Sequence, residues 1–214
     1  MQKGLICAPH QNGMKFMIEV NGLILAAGAS RRMGSQNKAL ATLNGTSLIE
    51  RVIDRLMPQV ARIAISGQRE FFEHLPFDVI EDELGPFNGP LIGLHSAFKS
   101  VELMSLDYLM MVACDGVFFP ADLVEKLQDH VKQNDADIGC IRYEGCSQPM
   151  FSLWHKRTAP SVARAVLKKK QGGFKPLLAK LRSVYLDWPL HSVNPFFNIN
   201  TPADLQHAEN LLCR

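Results

Sequence analysis

The sequence predicts an α/β fold, a single domain built on an open, mostly parallel sheet with helices on both faces. Three observations lead there. Short apolar runs alternate along the chain with segments of helical spacing. The runs are continuous rather than polar-alternating, as strands buried on both faces require. The 214 residues, 47% hydrophobic and 21% charged, contain no repeat, low-complexity tract or linker-like shift in composition, and that length suits one domain with a proper core.

The elements follow in order. "GLILAA" (22–27) is an apolar run closed by small residues, a buried parallel strand. "TSLIERVIDRLM" (46–57) places apolar residues at 48, 49, 52, 53, 56 and 57, so it reads as a helix capped by Thr46 or Ser47 and stopped by Pro58. "ARIAIS" (61–66) and "FDVIED" (77–82) are the next strands, and "GPLIGLHSAFKS" (89–100) is a helix with Pro90 at its first position. "DYLMMVA" (107–113) is a strongly buried strand leading into "CDGVFFP" and the helix "ADLVEKLQDHVKQ" (121–133). Residues 136–155 read as two strands joined through "EGCS", with helical segments at about 158–170 and 174–182 and a late strand in "SVYLDW". The last helix, 200–212, has Thr201 as N-cap, Pro202 at N1 and Asp204 near N3. Residues 1–20 are read as an N-terminal extension, poorly ordered, before a domain spanning 21–214.

Charge and cysteine usage exclude several classes. With 23 basic and 21 acidic side chains the net charge is only +2, too weak a bias for a general nucleic-acid binder. Any anion site must be local. The five cysteines form no CxxC pair and are odd in number, which fits free thiols in a reducing compartment. Pro9 and "HQNG" interrupt any leader-like apolar core, and no apolar run approaches the ~18 residues of a membrane span. A cytoplasmic protein with no membrane partner is the expectation. The seven histidines show no HxxxH or HExxH pattern, so zinc ligation is not expected.

In open parallel sheets, ligands sit beyond the carboxyl ends of the strands. The loop "AAGASRRMG" leaves the first strand there, and Ala26, Ala27, Gly28 and Gly34 present too little bulk to keep peptide N–H groups from an anion. Arg31, Arg32 and Lys38 add positive charge, which suits a polyphosphate. The sequence has neither GxGxxG, since the loop's glycines stand at 28 and 34 only, nor a Walker motif, since Ser-Gln-Asn separates Gly34 from Lys38. Asp115, just past the apolar strand 107–113, faces the same crevice and could hold Mg²⁺, which takes one or two carboxylates and completes its shell with water and phosphate oxygens.

"LILAAGASRRMGSQNKAL" (23–40) resembles the signature of nucleotidyltransferases that activate a metabolite with a nucleoside triphosphate. "VIEDELGPFNGPLIGLHSAF" (79–98), "QPMFSLW" (148–154) and "FFNINTPADL" (196–205) narrow the resemblance to the molybdenum cofactor guanylyltransferase family, over roughly residues 21 to 210. That resemblance implies a Rossmann-like sheet of the nucleotide-diphospho-sugar transferase type. It also implies transfer of GMP from GTP to the terminal phosphate of molybdopterin, with release of pyrophosphate and with Mg²⁺ as cofactor. Leu25, Ala26, Ala27 and Gly28 would line the nucleotide, with Asp82 on the guanosine portion and Gly89 and Gly93 allowing close approach. Arg32 and Lys38 would neutralise phosphates, Asp115 would bind the metal, and Asn198 and Asn200 would meet the acceptor or orient the metal site. Transient contact with cofactor-insertion or molybdoenzyme proteins is also implied.

Three positions depart from the family pattern. Ala26-Ala27-Gly28 stands where Ala-Gly-Gly is common and is the form more usual in cytidylyltransferases; Ser66 stands where asparagine is common; and Gly116-Val117 follows Asp115 in place of Thr-Pro or Met-Pro. The alternatives are therefore a molybdopterin cytidylyltransferase using CTP and, from another class, a non-catalytic nucleotide-binding regulatory module. The acidic segment 79–93 matches the guanylyltransferase pattern closely, so the resemblance favours guanine. Lys168-Lys169-Lys170 reads as a helix C-terminus closed by glycine, and Phe151 and Trp154 as core residues.

Overall fold

The computed structural model describes residues 19–27, 37–81 and 89–212. The chain runs through β1 (Val20–Leu25), β2 (Thr42–Leu43), β3 (Thr46–Ser47), α1 (Leu48–Leu56), β4 (Ile63–Ser66), α2 (Arg69–Phe72) and β5 (Asp78–Ile80). It continues through α3 (Pro90–Ala97), β6 (Tyr108–Ala113), α4 (Leu123–Gln133), β7 (Ile138–Tyr143) and β8 (Cys146–His155). The last elements are α5 (Ala159–Lys169), α6 (Lys175–Leu178), β9 (Ser183–Asp187) and α7 (Pro202–Leu212).

Seven strands form one sheet in the order β5-β4-β1-β6-β8-β7-β9. β8 alone runs against its neighbours, antiparallel to both β6 and β7, while the remaining pairings are parallel. The expected α/β architecture is therefore present, with helices on both faces. Period-2 geometry sorts the strand side chains between them. Ile24 of β1, Ile63 and Ile65 of β4, and Met110 and Val112 of β6 pack on one face with α1, α4 and α7. Leu23, Leu25, Ala64, Leu109 and Met111 point the other way, to α3, α5 and α6. Phe151 and Trp154 are both fully buried, as core residues should be.

Local chemistry explains several boundaries. Ser47, not Thr46, caps α1 in a full capping box with Glu50, and this leaves Thr46–Ser47 free to pair with Thr42–Leu43. Asn44 and Gly45 turn that small hairpin with φ of 48° and 78°. At α7, the Asp204 N–H donates to Thr201 Oγ1 at 3.2 Å and the Thr201 N–H to Asp204 Oδ2 at 2.8 Å, so cap and third residue satisfy one another. The expected helix at 174–182 shrinks to the single turn of α6. α5 ends on Lys170 in the left-handed conformation, so the glycines at 172 and 173 come after the turn rather than making it. Among the described residues no helix is long and apolar enough to cross a membrane.

Sheet order locates the crevice. The chain leaves β1 for β4 and β5 on one side, then crosses to β6 on the other. The carboxyl ends of β1 and β6 thus bound the switch point where such folds take ligands. The Cys114 N–H donates to Leu25 O at 3.1 Å and the Ala26 N–H to Ser66 O at 2.8 Å, fixing the three strand ends side by side.

Candidate active site

Asp115 leaves the end of β6 within this crevice. Its peptide is held from the far side of the sequence: the Ile199 N–H donates to Asp115 O at 2.9 Å, pinning the segment before α7 against the strand end. Gly116 is required by that packing. A Cβ there would lie 2.3 Å from the Phe151 ring and 3.1 Å from Asn198 Oδ1. Phe151, held by a tilted contact with Phe119 and an edge-on contact with Phe196, fills the place where a larger residue at 116 would stand. The departure at Gly116 is therefore matched by the bulk of Phe151.

Lys38 approaches from the β1 side on a short 3₁₀ turn, Lys38–Leu40. Asn37 Oδ1 caps the turn through the Ala39 N–H at 3.0 Å, and Ala39 is fully buried, so the backbone at Lys38 is anchored. Its ammonium pairs with Asp115 Oδ2 and donates to Asn200 Oδ1 at 2.7 Å. The Lys38 and Asp115 side chains are only 13% and 14% exposed. Asn200 is oriented in turn. Its Nδ2 donates to Asn198 O at 3.3 Å and its backbone N–H to Asp204 Oδ2 at 2.9 Å. The Asn200 backbone N–H holds the Asp204 carboxyl below the usual carboxylate range, with smaller help from Thr201 and from the charge on Lys38. Asn198 points elsewhere: its Oδ1 is buried beside Gly116 and has no hydrogen-bond partner among the described residues.

The remaining positions divide. Leu25 and Ala26 are buried at the end of β1, and Ala27 beyond them is exposed. Gly93 of α3 lies on the ends of β1 and β4, where a Cβ would meet Ser66 Oγ at 2.4 Å and Leu25 Cδ2 at 2.7 Å. Gly89 opens α3 under another loop: a Cβ there would lie 2.5 Å from Gly172 O, which also accepts from the Leu91 N–H at 3.1 Å. At both glycines the chain itself occupies the space a side chain would need. Gly28, Arg31, Arg32 and Asp82 lie outside the described residues, as does nearly all of the expected N-terminal extension.

Two participants were not singled out from sequence. Gly172 caps α3 through its carbonyl, and the Gly172-Gly173 pair is the only local signal for so close a backbone approach. Asp204 faces the Lys38 cluster although it reads simply as a helix-start residue. Cys114, next to Asp115, is buried, and burial together with the neighbouring carboxylate pushes its thiol up to about 12. It is no nucleophile at neutral pH. No group of three His, Cys, Asp or Glu side chains gathers for a metal among the described residues.

The fold is that of the mostly parallel α/β proteins that bind ligands at the carboxyl ends of their strands, and Lys38 and Asp115 meet at that place. Residues 22–184 match the family model of the MobA-like NTP transferase domain, and the chain belongs to that family. It is 33% identical to a molybdenum cofactor guanylyltransferase of Rhodopseudomonas palustris over 196 residues, 90% of this chain and 93% of that one. A protein of the same name from Vibrio parahaemolyticus is 36% identical over 188 residues, 87% of this chain and 93% of that one. Among solved structures, molybdopterin-guanine dinucleotide biosynthesis protein A from Archaeoglobus fulgidus shares the fold, with a TM-score of 0.73 and 23% identity over 90% of this chain and 98% of that chain.

Proposed function

We propose that this protein transfers GMP from GTP to the terminal phosphate of molybdopterin, releasing pyrophosphate. The observation that carries the reading is the convergence of Lys38, Asp115 and Asn200, from three distant stretches of chain, at the carboxyl end of β6. The names of the relatives at 33% and 36% identity support the choice of substrates.

A terminal phosphate monoester has a second pKa near ~6 and is mostly dianionic at neutral pH, so the acceptor needs no general base. The difficulty is bringing one anion to another. Lys38 supplies positive charge at a site shielded enough for that charge to act strongly, since its side chain is 13% exposed. Leu25, Ala26 and Ala27 would line the nucleotide along the end of β1, and Arg32 and Gly28 would serve its phosphates. Asp82, Gly89 and Gly93 would shape the nucleotide half. Asn198 and Asn200 would meet the acceptor or orient the metal site.

Divalent magnesium fits the donors present. Asp115 offers a carboxylate, and Asn198 Oδ1, beside the adjacent Gly116, is a buried oxygen without a hydrogen-bond partner among the described residues; Mg²⁺ needs few protein ligands and completes its shell with water and phosphate oxygens. Asp115 would hold it, and when bound it supplies charge that offsets the phosphate oxygens. The CTP-using alternative draws on Ala27 and Ser66, which depart from the guanylyl pattern. Pyrophosphate release measured with GTP and CTP in turn, each with and without molybdopterin, separates the readings. Release that requires GTP and molybdopterin together is expected. Release with CTP alone as donor would assign the cytidylyl reaction, and none with either would remove both.

A further inference from the structure

On the reading of the site as one for a triphosphate and a divalent cation, the order in which it fills follows from Lys38. We propose that Lys38 is a counter-ion switch: its ammonium holds the place on Asp115 that a divalent cation takes, and it yields that carboxylate when phosphate draws the lysine away. Metal and nucleotide then enter as a coupled pair rather than independently.

The contacts point this way. Lys38 is bound twice, to Asp115 Oδ2 and to Asn200 Oδ1 at 2.7 Å, so the carboxylate's charge is already answered without any ion. A second cation approaching Asp115 meets an ammonium in contact with the same group, where both side chains are nearly nine-tenths covered and repulsion is poorly screened. Meanwhile Asn198 Oδ1, buried beside Gly116, has no hydrogen-bond partner among the described residues.

The lysine is also built to move while its surroundings stay. The backbone under Lys38 is tied by the Asn37 cap and by buried Ala39, leaving the flexible four-carbon stem as the moving part. Asn200 is fixed by its own bonds to Asn198 O and Asp204 Oδ2, so its amide oxygen is a stationary resting point. Asn200 is thus a positioning residue for the lysine. A triphosphate offers the ammonium a stronger partner and frees Asp115 in the same event. By linkage, the metal must then strengthen nucleotide binding by the factor through which nucleotide strengthens metal binding.

The test is a titration of the purified protein with Mn²⁺ alone, free ion being read by electron paramagnetic resonance, with no nucleotide present. Lys38→Met should bind Mn²⁺ at least about tenfold more tightly than the unaltered protein, about 1.4 kcal/mol. Asn200→Ala should shift it in the same direction by a smaller factor, and adding Asp115→Asn to Lys38→Met should return binding to the weak level. Circular dichroism checks the fold of each variant. If Lys38→Met does not fold, Asn200→Ala decides, and unchanged Mn²⁺ affinity there overturns the switch, as does equal affinity of Lys38→Met and the unaltered protein. A parallel titration with GTP and CTP in metal-free buffer keeps the two ideas apart. No nucleotide binding at all counts against the proposed function, whereas nucleotide binding with unmoved Mn²⁺ affinities counts against the switch alone.

Discussion

Replacing Gly93 by alanine measures how tightly α3 is seated on the ends of β1 and β4. In an open helix the change would stabilise by ~1 kcal/mol through backbone entropy. Here the new methyl would lie 2.4 Å from Ser66 Oγ and 2.7 Å from Leu25 Cδ2, so atoms must shift. Overpacking of this kind costs about 1–3 kcal/mol, which leaves a net loss of roughly 1 kcal/mol. Ser66→Ala alone should be neutral or slightly stabilising. Its hydroxyl is fully buried and has no partner among the described residues, a state that costs about 1–3 kcal/mol. Combined, the two changes should recover most of the Gly93→Ala loss, because the nearest obstructing atom is gone. Urea denaturation at constant m gives the four stabilities. A favourable coupling near ~1 kcal/mol is expected; additivity to within about 0.3–0.5 kcal/mol would show that Ser66 is not what α3 presses on.

Two other expectations concern titration. Burial pushes the Asp137 carboxyl up, but the Arg182 and Arg157 guanidiniums bonded to it prevail and hold it below its ordinary value. A depressed carboxylate stabilises the fold above its unfolded pKa of ~3.9 and loses that contribution as pH falls through the folded value. The urea midpoint should therefore drop on acidification below about pH 4, and less steeply in Asp137→Asn; identical acid limbs would rule the contribution out. Burial pushes the Cys114 and Cys140 thiols up to about 12, whereas Cys146 is exposed. Brief iodoacetamide treatment at pH 8, followed by peptide mapping, should label Cys146 and spare the other two; rapid labelling of Cys114 in folded protein would contradict its burial.

Much of the fold was legible because strand burial on both faces writes continuous apolar runs. "LIL" and "LMMV" could hardly be anything else, and the caps at Ser47 and Thr201 bracket their helices chemically. What sequence did not display was pairing. Nothing local says that β8 inserts between β6 and β7 and reverses direction there. The Asn44-Gly45 hairpin escaped because its strands are two residues each, too short for a period. For the site, residue types could be named but not their meeting. Lys38 and Asp115 are 77 residues apart, and Lys38 and Asn200 are 162 apart, so only the sheet order brings them together. The two asparagines share a segment but not surroundings: Asn200 serves Lys38 while Asn198 turns to Gly116. Period-2 spacing cannot report which neighbour each one finds.

In the proposed reaction Lys38 and Asp115 serve one triphosphate. A double-mutant cycle on GTP- and molybdopterin-dependent pyrophosphate release tests this most directly. Lys38→Ala and Asp115→Ala should each lower kcat/KM by about 10²–10³-fold, the scale of losing one preorganised charge. Because they act on one ligand, the double variant should be little worse than the poorer single one. Full activity in either single variant, or losses that simply multiply, would contradict it.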